Sequence, residues 1–372
     1  MSKYRQFNLL LLLFTSLPLV TVSGFNWLID PYQVFNTPNF LGINHIKPEK
    51  DNNDRLYKAL DIIRIKPKTI IVGSSRVKQG INPNNPIFER KQPVYNLGLN
   101  GANMYELLRY IEHSLTNQPD LETIILGLDF FMFNADLGNQ PSFSEHRLGK
   151  TFITPLDGIN ALFSVGTLSV SHNTLLASLN QPGREKSQNG FLVNPDTNDG
   201  ETVRRFESSL RQYFSLHSDY QLSPEYLRDF EKIVQLCQEN EINLIVFISP
   251  PHASRLEAIY ITGRWQIFED WKREITRITT VWDFSGYNSV TREPLADYMS
   301  NYIDESHYTP EIGDLILARI FQTQKEGIPP DFGVFLTSEN IEKHLANIRE
   351  DREKWLQTNP REVVLIKKLH EY

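Results

Sequence analysis

Short apolar runs rich in β-branched residues recur along this chain, and segments of helical character separate them. Residues 69–72, 94–97, 123–128, 242–248 and 279–284 read as strands. Residues 53–63 read as a helix ahead of the first. Between the second and third, residues 103–115 place Met104, Leu107, Leu108, Ile111 and Leu115 at helical spacing. Helices at 225–239 and 264–275 precede the last two strands. Ser223-Pro224-Glu225 supplies an N-cap, a proline at the first helical position and an early acid. Thr309-Pro310-Glu311 opens a further helix reaching residue 321. Strands alternating with helices require a parallel sheet covered on both faces, so a five-stranded α/β fold is expected.

Ligands of such sheets bind off the carboxyl ends of the strands. Gly73-Ser74-Ser75, Gly127-Leu128-Asp129, Ser249-Pro250-Pro251-His252 and Asp283-Phe284-Ser285 all fall at such ends. A serine hydroxyl becomes a nucleophile when a base takes its proton, and an acid must orient that base. Of the nine histidines, His307 has an acid at useful spacing, in Asp304-Glu305-Ser306-His307. His252 and Asp283 sit where they could contact substrate or cap a loop. His252 has no partner at metal-ligand spacing, and no metal constellation, Walker-type phosphate loop or dinucleotide fingerprint is found. No cofactor is expected, and a redox or nucleotide-binding reading is disfavoured.

The order of these motifs resembles the SGNH, or GDSL-like, hydrolase superfamily across roughly residues 66–325. Gly73-Ser74-Ser75 is similar to that family's first block, with Ser74 in place of its aspartate and Ser75 at the nucleophile. Asp304-Glu305-Ser306-His307 is similar to its last block. "YNLGLNGAN", residues 95–103, resembles the second, with Gly101 matching the oxyanion glycine. The third block ends in an asparagine that donates to the oxyanion; here Asp129 stands there. An ionised carboxylate cannot donate. Three readings follow: Asp129 pairs with Arg76 while Asn100 or Asn103 completes the hole, Asp129 is protonated in the bound state, or the site is weak. The first is favoured, because an unpaired carboxylate beside the nucleophile is costly. Arg76 is otherwise a candidate for an anionic substrate group. The resemblance implies a flavodoxin-like three-layer α/β/α fold with a parallel five-stranded sheet. It implies a catalytic Ser75, His307 and Asp304, an oxyanion hole from Ser75, Gly101 and Asn103, and supporting roles for Arg76, Asp129 and His252. "GSSR…GINP" is similar to exported envelope proteins of the DltD-like and alginate-acetylation type. The implied substrate is an acyl ester or polysaccharide, with water or a sugar hydroxyl as acceptor and room for a membrane-bound acyl-transfer partner. A glycan-binding or scaffold protein that has lost turnover is the alternative, and Asp129 favours it.

The N-terminus sets the expected location. Lys3 and Arg5 precede residues 7–29, which carry no charge. As a helix that run reaches about 34 Å, enough for a bilayer core. Trp27 lies near its far end, as interfacial aromatics do. A signal anchor with residues 1–6 in the cytoplasm and the body outside is expected. A signal peptide cut after Thr21-Val22-Ser23 is the competing reading. Residues 30–65 are a connector and first helix. Residues 130–220 break the alternation and read as an insertion, containing an apolar helical part at 156–179. It forms either a lid or substrate wall, or a solvated excursion. Residues 326–372 read as a charged helical appendage, with a helix at 338–357 and an apolar tail at 363–366. With 372 residues and 40% hydrophobic content the chain can bury a sizeable core. A net charge of −7 argues against nucleic acid as main partner. The single cysteine, Cys237, cannot form an internal disulfide and reads as a buried, inert thiol.

Overall fold

A computed structural model describes residues 3–180, 187–193, 199–216, 219–323 and 327–371. The chain divides into two compact units, Met1–Lys66 with Ser142–Gln188, and Pro67–Pro141 with Asn189–Tyr372. In chain order, α1 (Lys3–Ile29) and α2 (Asp54–Ile65) precede β1 (Thr69–Gly73), α3 (Ser75–Gly80), β2 (Val94–Gly98), α4 (Met104–Asn117) and β3 (Thr123–Leu128). Helices α5 (Pro155–Phe163), α6 (Val165–Asn180), α7 (Thr202–Leu216) and α8 (Pro224–Glu239) follow, then β4 (Asn243–Ile248), α9 (Ala253–Ile261), α10 (Trp265–Ile278) and β5 (Val281–Asp283). The chain continues through α11 (Pro310–Ile320), β6 (Val334–Leu336), α12 (Ile341–Thr358) and α13 (Pro360–Glu371).

The second unit is built on a sheet of order β2-β1-β3-β4-β5-β6. The first five strands are parallel, with Ile71 opposite Asn96 and Ile125 opposite Ile245. Strands β1, β2 and β3 are buried along their whole length, as a sheet covered on both faces requires. From β1 the chain goes first to one side, to β2, and then crosses to the other, to β3. The crevice at the carboxyl end of β1 is therefore a topological switch point.

The sheet has six strands rather than the expected five, and the sixth is antiparallel: Val281 pairs with Leu336 and Asp283 with Val334. It comes from the segment expected to be a helical appendage. Its apolar run, 334–336, is too short to be told from a turn of buried helix, whereas the equally short β5 lies inside the longer stretch 279–284. The C-terminal helices are also integral to this unit. Leu345, Ile348 and Trp355 of α12 are buried, and Arg352 makes a two-armed pair with Glu257 at 2.8 and 3.0 Å. The tail at 363–366 lies within α13, where Ile366 is buried.

Two glycines matter for placing α3. A β-carbon on Gly98 would stand 2.6 Å from the Lys78 backbone nitrogen, so α3 can approach β2 only because that side chain is missing. Gly101 has φ +59°, in the left-handed region where glycine carries no steric cost. Ser223 caps α8 as the sequence suggests, accepting from the Tyr226 N–H. Cys237 is buried in that helix, and burial pushes its thiol up to about 12.

The first unit joins the N-terminal segment to part of the expected insertion. Residues 142–188 belong here, whereas 130–141 and 189–220 belong to the α/β unit. The apolar stretch at 156–179 is two helices, not one. Ser164 sits between them in extended conformation and its hydroxyl accepts from Gly166 N–H at 3.1 Å, starting α6 anew. Val34, Leu56, Leu60 and Ala161 form a small core. The Asp30 carboxylate orders the connector by accepting from the N–H groups of Val34, Phe35 and Thr37.

Candidate active site

The end of β1 positions the first group. Ser74 caps α3, accepting from Arg76 N–H at 3.1 Å, and donates its own hydroxyl to Asp129 Oδ2 at 2.5 Å. Ser75 is the first residue of α3, where backbone N–H groups lack intrahelical acceptors. Its Oγ lies 2.8 Å from His307 Nε2.

His307 is brought there by a tight loop. Tyr302 bridges to Tyr308, and Ile303 N–H donates to His307 O at 2.9 Å. Asp304 organises the turn: its Oδ1 accepts from the N–H groups of Ser306 and His307, both at 2.8 Å. The same carboxylate accepts a hydrogen bond from His307 Nδ1–H, with Oδ2 at 2.8 Å. That bond leaves the Nε2 lone pair facing the Ser75 hydroxyl. Burial acts to lower the His307 pKa, but the charge and hydrogen bond of Asp304 outweigh it and the net shift is upward. Burial acts to raise Asp304, and His307 with the two backbone donors brings it down to about 2.

Arg76 ties the two loops together. Its Nη1 is 2.6 Å from Asp129 Oδ1, while Nε and Nη2 lie 2.9 and 2.8 Å from Ser306 Oγ. Both Asp129 oxygens are thus engaged, one by a cation and one by Ser74, in a site where Asp129 is 1% exposed. This is the pairing anticipated for Asp129.

Other candidates lie apart. Asn103 is the N-cap of α4, with Oδ1 accepting from Glu106 N–H at 2.9 Å. Its Nδ2 donors are shared among Leu137 O, Asn139 Oδ1 and Tyr226 Oη. It is fully buried and takes no part in the cavity lining, so it has no donor for an oxyanion. Asn100 is exposed and also outside the lining. Gly101 does line the cavity, beside Gln140, whose side chain donates to Gly101 O at 3.1 Å. His252 is a buried helix cap instead of a rim residue. Its Nε2 donates to Glu293 O at 2.7 Å, Nδ1 accepts from Ser254 N–H, and burial takes its pKa down to about 4. Asp283 is buried against Lys272 at 2.5 Å and His344 at 2.8 Å. Burial opposes its ionisation, but those two partners hold its carboxyl below the usual range.

Ser75 and His307 open into a cavity of about 550 Å³. Its inner wall is a contiguous set of rings: Phe130 stacks on Tyr220 at 4.0 Å and meets Phe268 and Trp271 edge-on or tilted at 5.3 and 5.5 Å. Tyr220 donates its hydroxyl to Phe130 O, so it turns ring and not phenol to the space. Helix α7 contributes Ser209, Tyr213 and Leu216, so this part of the expected insertion is a cavity wall. Sequence reasoning missed Glu305. It is fully buried within the Asp304–His307 motif and holds Arg255 at 2.6 Å and Ser209 at 2.8 Å. Burial pushes it up to about 7, with Arg255 opposing and Asp304 adding to the shift. It stands between Asp304 and His307 at a position to which their spacing assigns no role, so no sequence signal marked it. The chain matches no known family model and no curated protein.

Proposed function

We propose that this chain is an SGNH-like serine esterase or O-acyltransferase, tethered by α1 with its body on the extracytoplasmic side, and acting on acyl esters of envelope or exported polysaccharide. The 2.8 Å contact of Ser75 Oγ with His307 Nε2 carries the reading. Strand order 2-1-3-4-5 in the parallel part of the sheet supports it, being the flavodoxin-like order, with the nucleophile at the switch point.

In this mechanism Ser75 Oγ attacks the ester carbonyl carbon as its proton passes to His307 Nε2. The N–H groups of Ser75 and Gly101 hold the oxyanion. Collapse breaks the carbon–oxygen bond to the leaving alcohol, which takes the proton from His307. Water or a sugar hydroxyl then gives its proton to His307 and attacks the acyl-Ser75 carbonyl carbon; the bond to Ser75 Oγ breaks, and Oγ takes that proton back from His307 Nε2. Asp304 orients the ring and stabilises the imidazolium. The aromatic inner wall is suited to the acyl group: its rings are packed against each other and buried, unlike the open faces on which sugars stack. The non-catalytic alternative rests on Asp129, which cannot donate to an oxyanion; Arg76 pairs its charge and Ser74 engages its second oxygen, which leaves the hole to the backbone donors of Ser75 and Gly101.

The test is labelling of the full chain by a serine-reactive fluorophosphonate, with turnover of a chromogenic acetyl ester. Both are expected in the wild type and absent in Ser75→Ala. Labelling that survives the substitution removes Ser75 from the mechanism; no labelling or turnover in the wild type favours a binding protein.

A further inference from the structure

Helix α6 is inside out for a helix in water. Its buried residues are Thr167, Ser171, Thr174 and Ser178, spaced along one face. Val165, Leu176 and Leu179 are exposed, Val165 to 82%. A water-facing amphipathic helix has the opposite pattern, because burying apolar area is what holds it down. Small hydroxyl residues at a helix interface, with apolar residues outward, is the pattern of helices packing in lipid.

The neighbouring elements of this unit repeat it. Helix α5 buries Asp157 and Ala161 and exposes Leu156, Ile159 and Phe163, which share one face. Asp157 is satisfied inside by a two-armed pair with Arg147 at 3.0 and 2.7 Å. The contacts between helices are polar as well. Asn26 of α1 donates to Leu162 O at 2.9 Å and accepts from Ser171 at 2.8 Å. A loop tip adds Phe40 and Leu41, the latter 74% exposed. Asn44 fixes that tip, donating to Leu28 O and Pro38 O and accepting from Phe40 N–H.

Three of these bonds fall on the last turn of α1, two at Asn26 and one at Leu28. Trp27, between them, is half exposed. If α1 crosses a bilayer, that turn is where it leaves the hydrocarbon, and α5 and the loop tip are tied to that depth. Helices α5 and α6 have 9 and 16 residues, so they reach only about 14 and 24 Å, short of a bilayer core. Ser169, His172 and Asn173 of α6 are also exposed. A helix presenting both characters fits the headgroup boundary better than the hydrocarbon.

We propose that the outer faces of α5 and α6, with the loop tip at Phe40 and Leu41, form a second membrane-contact surface that lies in the lipid headgroup–acyl boundary beside α1. The inference rests on reading α1 as a membrane helix and is independent of catalysis. Its function is to hold this unit against the bilayer, not merely near it.

The test uses full-length protein in phosphatidylcholine–phosphatidylglycerol vesicles. Leu41→Cys, Ile159→Cys and Phe163→Cys each carry an environment-sensitive nitrobenzoxadiazole label. Leu11→Cys in α1 marks lipid and Glu239→Cys on α8 marks water. Unsubstituted protein, with Cys237 buried, shows whether background labelling occurs. Labels at 41, 159 and 163 are expected roughly 5–10 Å into the boundary. There, spin-labelled lipids quench them, and iodide quenches them at least about threefold less than at 239. Iodide access at 159 and 163 equal to that at 239, with Leu11 shielded, overturns the contact surface and leaves the anchor standing. Iodide access at Leu11 as well removes the anchor and the surface together.

Discussion

Arg76 grips Ser306 with two nitrogens at once, Nε at 2.9 Å and Nη2 at 2.8 Å from one hydroxyl oxygen. One residue follows Ser75 and the other precedes His307. The pair therefore sets the distance between two loops that lie 230 positions apart in the chain. Its remaining arm holds Asp129, so Arg76 does structural and electrostatic work together.

Arg76→Met is expected to reduce kcat by roughly 10²-fold, as small misplacement of a reacting pair does. It should also cost about 3–5 kcal/mol of stability, because Asp129 is left as an uncompensated buried charge. Adding Asp129→Asn is expected to return much of the stability without returning kcat. Denaturant midpoints and ester kinetics of the two variants measure these separately. Restored activity in the double variant would show that Arg76 only neutralises Asp129.

Asp304→Asn is expected to lower kcat by on the order of 10³–10⁴-fold, since the wrong tautomer of His307 then faces Ser75. The pH profile adds a sign. His307 is raised above 6.5 in the folded protein, and only its neutral form is a base. Wild-type kcat/KM should therefore rise with pH along a limb centred above 6.5, and that limb should move down in Asp304→Asn. Stability runs the other way: the contribution of protonated His307 is complete below 6.5 and fades as pH rises through its folded pKa. The Asp304 contribution is present above about 4 and fades as pH falls toward 2.

Glu305 makes a separate prediction about pH. A carboxyl raised from 4.5 to about 7 favours the folded state in its neutral form. That contribution is complete below 4.5 and is lost as pH rises through 7, by up to about 3 kcal/mol. Glu305→Gln keeps a partner for Ser209 and should make the stability curve less steep across that window, leaving the His307 contribution. Thermal unfolding at pH 4.5, 6 and 8 compares the two. Wild-type and Glu305→Gln curves of equal slope there would place the Glu305 carboxylate in its ordinary range, since the His307 contribution is common to both.

Asn103→Ala separates a helix cap from an oxyanion donor. Loss of the cap and of three hydrogen-bonded contacts should cost about 1–3 kcal/mol of stability. The folded fraction should keep kcat within about threefold, whereas removing an oxyanion donor costs roughly 10²–10³-fold. A fall in kcat of that size at unchanged stability would return Asn103 to the site.

The legible parts of this molecule are those with local grammar. Five strands showed as runs of four to seven residues with turn chemistry at their ends, and Ser223 and Thr309 announced their helices. Arg76 and Asp129 could be paired on charge alone. Asn103 illustrates the limit: the side chain that caps a helix and the one that donates to an oxyanion are chemically alike, and only tertiary contacts distinguish them. Glu305 was hidden because its significance comes from burial beside Arg255, which leaves no pattern in its own segment. Strand β6 stands on three apolar residues alone, without the longer stretch that marked the equally short β5. Helices α5 and α6 read as one stretch because Ser164, which separates them, is an ordinary residue in mid-helix until its hydroxyl is seen to cap.

The aromatic wall yields a prediction about acyl length. Leu256 and Ile259 of α9 line the cavity with Phe130, Phe268 and Trp271, and all five are buried. A longer acyl chain would take its own methylenes out of water to lie against that wall, gaining up to about 0.8 kcal/mol per methylene, or roughly fourfold. For p-nitrophenyl esters, kcat/KM should rise from acetyl through hexanoyl as the chain extends along the rings. Ile259→Trp should narrow the wall and reverse that preference toward acetyl, while fluorophosphonate labelling of Ser75 continues. Labelling matters because it separates a closed wall from a damaged nucleophile. If acetyl esters are preferred by the wild type and Ile259→Trp changes nothing, the rings serve the core alone and the acyl group lies elsewhere in the cavity.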